Sequence, residues 1–127
     1  MPNAASVALF CNDDVLLVRR ARAPYQGYWT LPGGCRKKGE TIEACAKREM
    51  LEELGIKIGP LLPVTQTPAG STFLLQIFTA YWDGLPILPN TEITDWRWVS
   101  PSDVATLHIT PGLADVLALA ANVLSKM

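Results

Sequence analysis

Gly34 to Ile56, GCRKKGETIEACAKREMLEELGI, is the stretch on which the reading of this chain turns. Its first eight residues run G-x-x-x-x-G-E-T, one residue away from a phosphate-cradling loop, G-x-x-x-x-G-K-[ST]. Glu40 stands where that loop needs a lysine. The segment is therefore a degenerate phosphate loop, a glycine-rich turn without chemistry, or the start of a longer pattern that requires acid. From Thr41 to Leu54 the spacing predicts a helix, with Thr41 as N-cap, Glu43 in the first turn and Gly55 at the C-terminus.

On that helix, at ~100° per residue, Glu49, Glu52 and Glu53 fall within an arc of about 100°. Three like charges so close repel one another, and the cost falls if a cation sits among them. Ile42, Cys45 and Ala46 lie on the same side, so the face is not a simple solvated stripe. Hard divalent cations take carboxylate and carbonyl oxygens, and Mg²⁺ bridges readily to phosphates. Arg48, four residues before Glu52, is placed to orient that carboxylate. Taken alone, an E-x-x-E-E pattern is also read as a solvated helix with i,i+4 ion pairs.

The glycine, the acid and the helix form one pattern, G-x5-E-x7-R-E-M-x-E-E-x-G-I, through Gly34, Glu40, Arg48, Glu49, Met50, Glu52, Glu53, Gly55 and Ile56. It resembles the Nudix box at every defined position. A chance match at one start point is on the order of 10⁻⁹ to 10⁻⁸ from average residue usage. The preceding WTLPGG, Trp29–Gly34, is similar to the usual lead-in of that family.

The resemblance implies a single Nudix domain over residues 1–127, with the box at 34–56. The implied fold is an α/β, αβα sandwich with a mixed central sheet. The implied activity is a Mg²⁺- or Mn²⁺-dependent pyrophosphohydrolase acting on a nucleoside diphosphate linked to some group X. Carried over by position, Glu49, Glu52 and Glu53 are metal ligands, with the Gly34 carbonyl a further one, and Glu40 and Arg48 brace and orient them. The general base is a box glutamate, Glu52 or Glu53, or an acid from a later loop. Glu92, six residues before Trp98, occupies the expected place of such an acid, as base or additional ligand; the plain alternative is a solvated loop carboxylate.

Substrate is expected to be ADP-ribose or a related nucleotide sugar first, and a (d)NTP cut to NMP and pyrophosphate second. A proline about fifteen residues after the box glycine, frequent in the ADP-ribose type, is met only nearby by Pro68. The asparagine that the MutT type carries before its last helix is missing from HITPGLAD, His108–Asp115. A rival of another class is a silent Nudix domain that binds a nucleotide and regulates a partner, which would be expected to lose box acids.

Outside the box, Arg19, Arg20 and Arg22 end a strand where phosphate could be met, with surface solubility the alternative. Tyr28 and Trp29 could stack on a base or simply pack. Lys37 and Lys38 read as a solvated loop. Cys35 lacks a base partner for a nucleophilic role, and His108, the single histidine, lacks metal-spaced companions.

The remaining elements follow from pattern. Residues 4–11 and 14–20 are strand-like runs about an Asn-Asp turn, WTLP is a short strand ending at Gly33-Gly34, and strands are expected at 61–67, 73–82 and 93–99. A short helix starts near Ser100, and Pro111 opens a last helix with Leu113, Val116, Leu117, Ala120, Val123 and Leu124 on one stripe. Strands around one acidic helix, plus a terminal helix, suggest a layered domain.

Composition agrees: 127 residues, 49% apolar, 18% charged, net charge −1 and pI near 5.7. That provides no basic footprint for nucleic acid and no polybasic membrane signal. No apolar run approaches the roughly 18 residues of a membrane span. The N-terminus lacks a secretory pattern, so a cytoplasmic protein is the default expectation. Three cysteines with no C-x-x-C pair argue against a disulfide framework or a zinc site. The expected partner is a small nucleotide, and a homodimer is left open.

Overall fold

The computed structural model describes residues 1–69 and 72–126, so residues 70, 71 and 127 of the expected 1–127 domain lie outside the described set. Strands β1 (Ala4–Cys11) and β2 (Asp14–Arg20) make the expected hairpin, turned at Asn12 with φ 54°. Asparagine tolerates that left-handed backbone better than most side chains.

The hairpin strands pair only at the tip, Phe10 opposite Val15 and Cys11 opposite Asp14, and then diverge. The wedge between them is filled by residues 29–35. There β3 (Trp29–Thr30) pairs antiparallel with β2, and β4 (Gly33–Cys35) pairs antiparallel with β1. The two glycines expected to end a strand thus form one of their own. Glycine has little strand preference, and pairing with Ala4–Ser6 overrides it.

Two further strands, β5 (Leu62–Ala69) and β6 (Phe73–Tyr81), pair antiparallel, and β6 runs parallel to β1 from Ala4 opposite Leu75 to Phe10 opposite Tyr81. On the other edge of β2 lies β7 (Ile93–Val99), also antiparallel. The sheet is mixed, as expected.

Side chains alternate across it with the strand period of two. Ala5, Val7, Leu9, Leu16, Val18 and Phe78 face helix α1 (Ile42–Leu54) and its Cys45, Ala46, Met50 and Leu54. Ala8, Phe10, Val15, Leu17 and Ile77 face α3 (Leu113–Ser125) through Leu113, Leu117, Ala120 and Leu124. A four-residue α2 (Pro101–Val104) joins that side. Leu9, Leu16 and Leu17 are fully buried, each contributing roughly 2 kcal/mol. α3 begins two residues later than Pro111, because Gly112, at φ +79°, turns the chain into it.

The caps of α1 are those the sequence predicts. Thr41 Oγ1 accepts from the Ala44 N–H at 3.1 Å, and Gly55 ends the helix at φ +66°. Two carbonyls of the last turn receive donors from the loop after β6: Leu88 N–H to Leu54 O (2.7 Å) and Asn90 N–H to Glu53 O (2.8 Å). Bare helix-end carbonyls need such partners, and here they fasten the 82–92 loop to the helix that carries the glutamates. Among the described residues no helix is long and apolar enough to cross a membrane.

Candidate metal and phosphate site

Arg48 organises the acidic helix. Its Nε and Nη2 fork onto Glu40 at 2.7 and 3.0 Å, Nη1 reaches Glu49 at 2.8 Å and Glu52 at 3.1 Å, and Nη2 also reaches the Cys35 carbonyl at 2.9 Å. Sequence spacing anticipates only the Glu52 pair. The bidentate grip on Glu40 comes from the fold, which brings residues eight apart together, and such planar forks are what guanidinium does best. With the Lys37 N–H as a second donor, Arg48 holds the Glu40 carboxyl down at about 2. The same partners, Glu40 first, keep Arg48 firmly protonated.

Glu53 is the reverse case. Its residue is 7% exposed, and its Oε1 accepts from the Gly33 N–H at 2.9 Å. Burial, then the nearby charges of Glu49 and Glu92, push it up to about 8 in spite of that hydrogen bond. Gly34 packs against the Glu49 carboxylate so closely that a Cβ there would overlap it. The Gly34 carbonyl accepts from the Cys45 thiol at 3.5 Å, and burial raises that thiol to about 11.

Glu52 is half exposed and turned to Arg48. Among the described residues no three acidic, histidine or cysteine side chains converge on one point. The reason is electrostatic: like charges part, and Arg48 draws Glu49 and Glu52 to itself.

Glu92 comes to the same place from the loop that precedes β7. It lines, with Glu53, Gly33, Arg20 and Arg22, a recess of about 130 Å³. The Asn90 Oδ1 accepts from the Glu92 N–H at 2.9 Å, while the Asn90 N–H holds the Glu53 carbonyl. Asn90, which spacing gave no reason to notice, is what ties the loop acid to the helix acid. Arg22 lies 3.8 Å from Glu92 with both side chains largely exposed, a loose pair of little energetic weight.

A second cavity, about 610 Å³, adjoins the recess across Arg20, Thr30 and Leu31. The aromatic expectations are redistributed around it. Trp29 is corrected from a stacking residue to a core one. It is 6% exposed, and the Arg97 guanidinium sits 4.4 Å above its ring. Tyr28 is at the surface between Tyr25 (5.4 Å) and His108 (5.9 Å), and Tyr25 lines the cavity instead. Arg19 and Arg20 turn their Nε atoms back to the Gly27 and Pro24 carbonyls, at 3.1 and 2.7 Å, and so brace the loop between β2 and β3.

A glycine carbonyl, the buried Glu53 carboxyl with the half-buried Glu49 carboxylate, and an arginine clamp thus meet at the wedge of a mixed sheet. The family model described as NUDIX domain matches residues 1–120. The chain belongs to the Nudix family. The structure of a MutT Nudix hydrolase from Burkholderia pseudomallei superposes with a TM-score of 0.84 at 23% identity, covering 94% of this chain and 98% of that one. The expected αβα fold is therefore shown.

Among curated relatives, a putative 8-oxo-dGTP diphosphatase 3 of Mycobacterium tuberculosis is 37% identical over 109 residues, 79% of this Nudix chain and 50% of that protein. The nucleoside triphosphatase NudI of Escherichia fergusonii is 31% identical over 128 aligned residues, 87% of this chain and 91% of its own. The chain spans about half the length of the mycobacterial relative.

Arg48→Ala should show what the clamp does. Partners that orient metal-binding groups are worth about 10- to 100-fold, so metal-dependent turnover is expected to fall by that factor. Arg48→Lys should recover little of it, since an ammonium cannot fork onto Glu40 and reach Glu49 together. A lysine variant at wild-type rate would sink the clamp.

Proposed function

We propose that residues 1–127 form one divalent-metal-dependent pyrophosphohydrolase domain acting on a small nucleotide. A nucleoside triphosphate, cut to the monophosphate and pyrophosphate, is the first substrate class, ahead of ADP-ribose or another nucleotide sugar. The observation that carries the reading is Glu53, a buried carboxyl pushed up to about 8 beside the Glu49 carboxylate. A hard divalent cation would let both ionise where burial otherwise forbids it. The donor set fits such an ion: Glu49, Glu52, Glu53 and the Gly34 carbonyl would hold it, all oxygen donors. When bound, Mg²⁺ or Mn²⁺ would neutralise charge on the phosphate oxygens and lower the pKa of the attacking water.

The chain's own side chains do the rest. Arg48 holds the Glu49 and Glu52 carboxylates side by side on one guanidinium nitrogen, and Glu40 keeps Arg48 in place. Glu92, across the recess from Glu53, accepts the proton of the water that attacks phosphorus, and the bond from that phosphorus to the bridging oxygen breaks. Glu92→Gln is expected to lower kcat on the order of 10²-fold with KM little changed. Turnover within a few-fold of wild type removes Glu92 from the chemistry.

The preference for a triphosphate rests on the relatives above, which carry names of nucleoside triphosphate hydrolases. The silent binding module is disfavoured because every box acid is present. The test is incubation with Mg²⁺ or Mn²⁺ and a panel of (d)NTPs, ADP-ribose, nucleotide sugars and dinucleoside polyphosphates, with products resolved. No turnover on any of them, with metal binding intact, would replace the hydrolase by the silent module.

A further inference from the structure

The loop between β2 and β3 is built to hold one aromatic ring. Tyr25 sits at φ +61°, a left-handed backbone that bulky side chains rarely adopt. Such strain persists only where the surroundings over-determine it. Here they do: Arg20 Nε donates to the Pro24 carbonyl, Arg19 Nε to the Gly27 carbonyl, Gly27 N–H to the Arg20 carbonyl, and Tyr28 N–H to the Tyr25 carbonyl. Two arginine side chains and two backbone bonds thus fix a residue that is itself 47% exposed and has no core to fill. Its ring leans on Tyr28 at 5.4 Å, and it is the sole aromatic side chain among the described residues lining the 610 Å³ cavity.

Apart from Arg20, which lines the recess as well, the polar side chains of that cavity carry hydroxyls. Ser6, Thr30, Thr67 and Thr110 line it, Arg20 stands at its border with the recess, and no carboxylate or carboxamide lines it among the described residues. Thr110 Oγ1 donates to Thr30 Oγ1 at 3.0 Å, which leaves the Thr30 hydroxyl hydrogen to turn elsewhere. A hydroxyl donates or accepts by rotating, so it suits either edge of a base. Sharp discrimination needs a fixed donor or acceptor left unpaired by the wrong partner.

We propose that Tyr25 is the base-stacking residue of this chain, and that the cavity takes the base of a nucleotide with little selectivity among purines and pyrimidines. Every base has a π-face, so stacking on Tyr25 supplies affinity, and the rotating hydroxyls supply tolerance. This rests on the reading of the adjoining acids as the site that meets the diphosphate.

Binding of AMP, CMP and ribose 5-phosphate, each with Mg²⁺, tests it by titration calorimetry on wild type, Tyr25→Gly and Tyr25→Phe. Glycine suits φ +61° better than tyrosine, so Tyr25→Gly removes the ring without straining the fold. Expected are AMP and CMP affinities within about tenfold of each other in wild type. Tyr25→Gly should weaken both by about 5- to 100-fold, leave ribose 5-phosphate unchanged, and be rescued by Tyr25→Phe. Wild type that binds no AMP, a glycine variant that binds AMP as wild type does, or an equal loss for ribose 5-phosphate overturns the stacking role. A carboxamide-like preference for one base, a hundredfold or more, overturns the tolerance. Tyr25-dependent AMP binding without turnover of any nucleotide would instead remove the hydrolase reading and leave the stacking intact.

Discussion

Replacing Glu53 with glutamine is expected to cut turnover by orders of magnitude and, without divalent metal above pH 7, to raise thermal stability. The two effects have one cause. In the folded chain Glu53 gives up its proton near 8 instead of 4.5, because burial and the charges of Glu49 and Glu92 oppose ionisation. Below pH 4.5 the carboxyl is neutral folded or unfolded, and nothing is lost. As pH rises from 4.5 toward 8, the unfolded chain releases the proton while the folded chain retains it, so stability falls across that window. The full loss is on the order of 4 kcal/mol, about 10 °C or more in Tm for a domain of this size.

Glutamine cannot ionise but still offers an oxygen to the Gly33 N–H, so metal-free Glu53→Gln should keep its Tm where wild type loses it. Saturating Mg²⁺ should restore wild type by mass action and leave the variant nearly unmoved. Turnover in Mg²⁺ should drop on the order of 10²- to 10³-fold or more, since charge stabilisation at phosphate is lost. Melting curves from pH 5 to 9, with chelator or with Mg²⁺, check the first half. A metal-free wild type whose Tm is flat over that range would show that Glu53 is not the strained acid of the site.

How much of this is legible before folding depends on the range over which each signal acts. Helix α1 is legible because Thr41, the i to i+4 spacing and Gly55 are local devices, and each acts as expected. The Arg48–Glu52 contact is legible for the same reason, whereas the stronger Arg48–Glu40 fork is a product of the loop closing over the helix. Strand β4 is hidden because glycines become a strand only when a diverging hairpin opens an edge for them.

Trp29 reads from the sequence as an aromatic that either stacks on a base or packs. Only the pairing of β3 with β2 shows that it must point into the core, under Arg97. Glu92 is legible as a loop acid but not as a neighbour of Glu53, because Asn90 bridges two residues that lie far apart in the chain. Pro68, near an ADP-ribose spacing in the sequence, lines the 610 Å³ cavity, in a strand that pairs with β6.

The two adjacent glycines should separate folding from function more cleanly than any acid. A Cβ on Gly33 would run into the Ala5 carbonyl and the backbone of Ser6, groups held in the β1–β4 pairing that cannot step aside. Gly33→Ala is therefore expected to cost about 3 kcal/mol or more, read as a fall in Tm of roughly 10 °C, with activity lost along with the fold. The atoms nearest a Cβ on Gly34 are those of the Glu49 carboxylate, the far end of a flexible side chain. That side chain can rotate away, so metal-free Gly34→Ala should melt within a few degrees of wild type.

What Glu49 cannot do after rotating is stay beside Glu53 with its carboxylate under Arg48. The variant should then lose the Mg²⁺-induced rise in Tm and most of its turnover, on the order of 10²-fold. Melting and turnover for the two variants, side by side, discriminate the roles. Equal destabilisation of both would mean that Gly34 serves the backbone alone, and a Gly34→Ala protein that still gains stability from Mg²⁺ would remove Glu49 from the site.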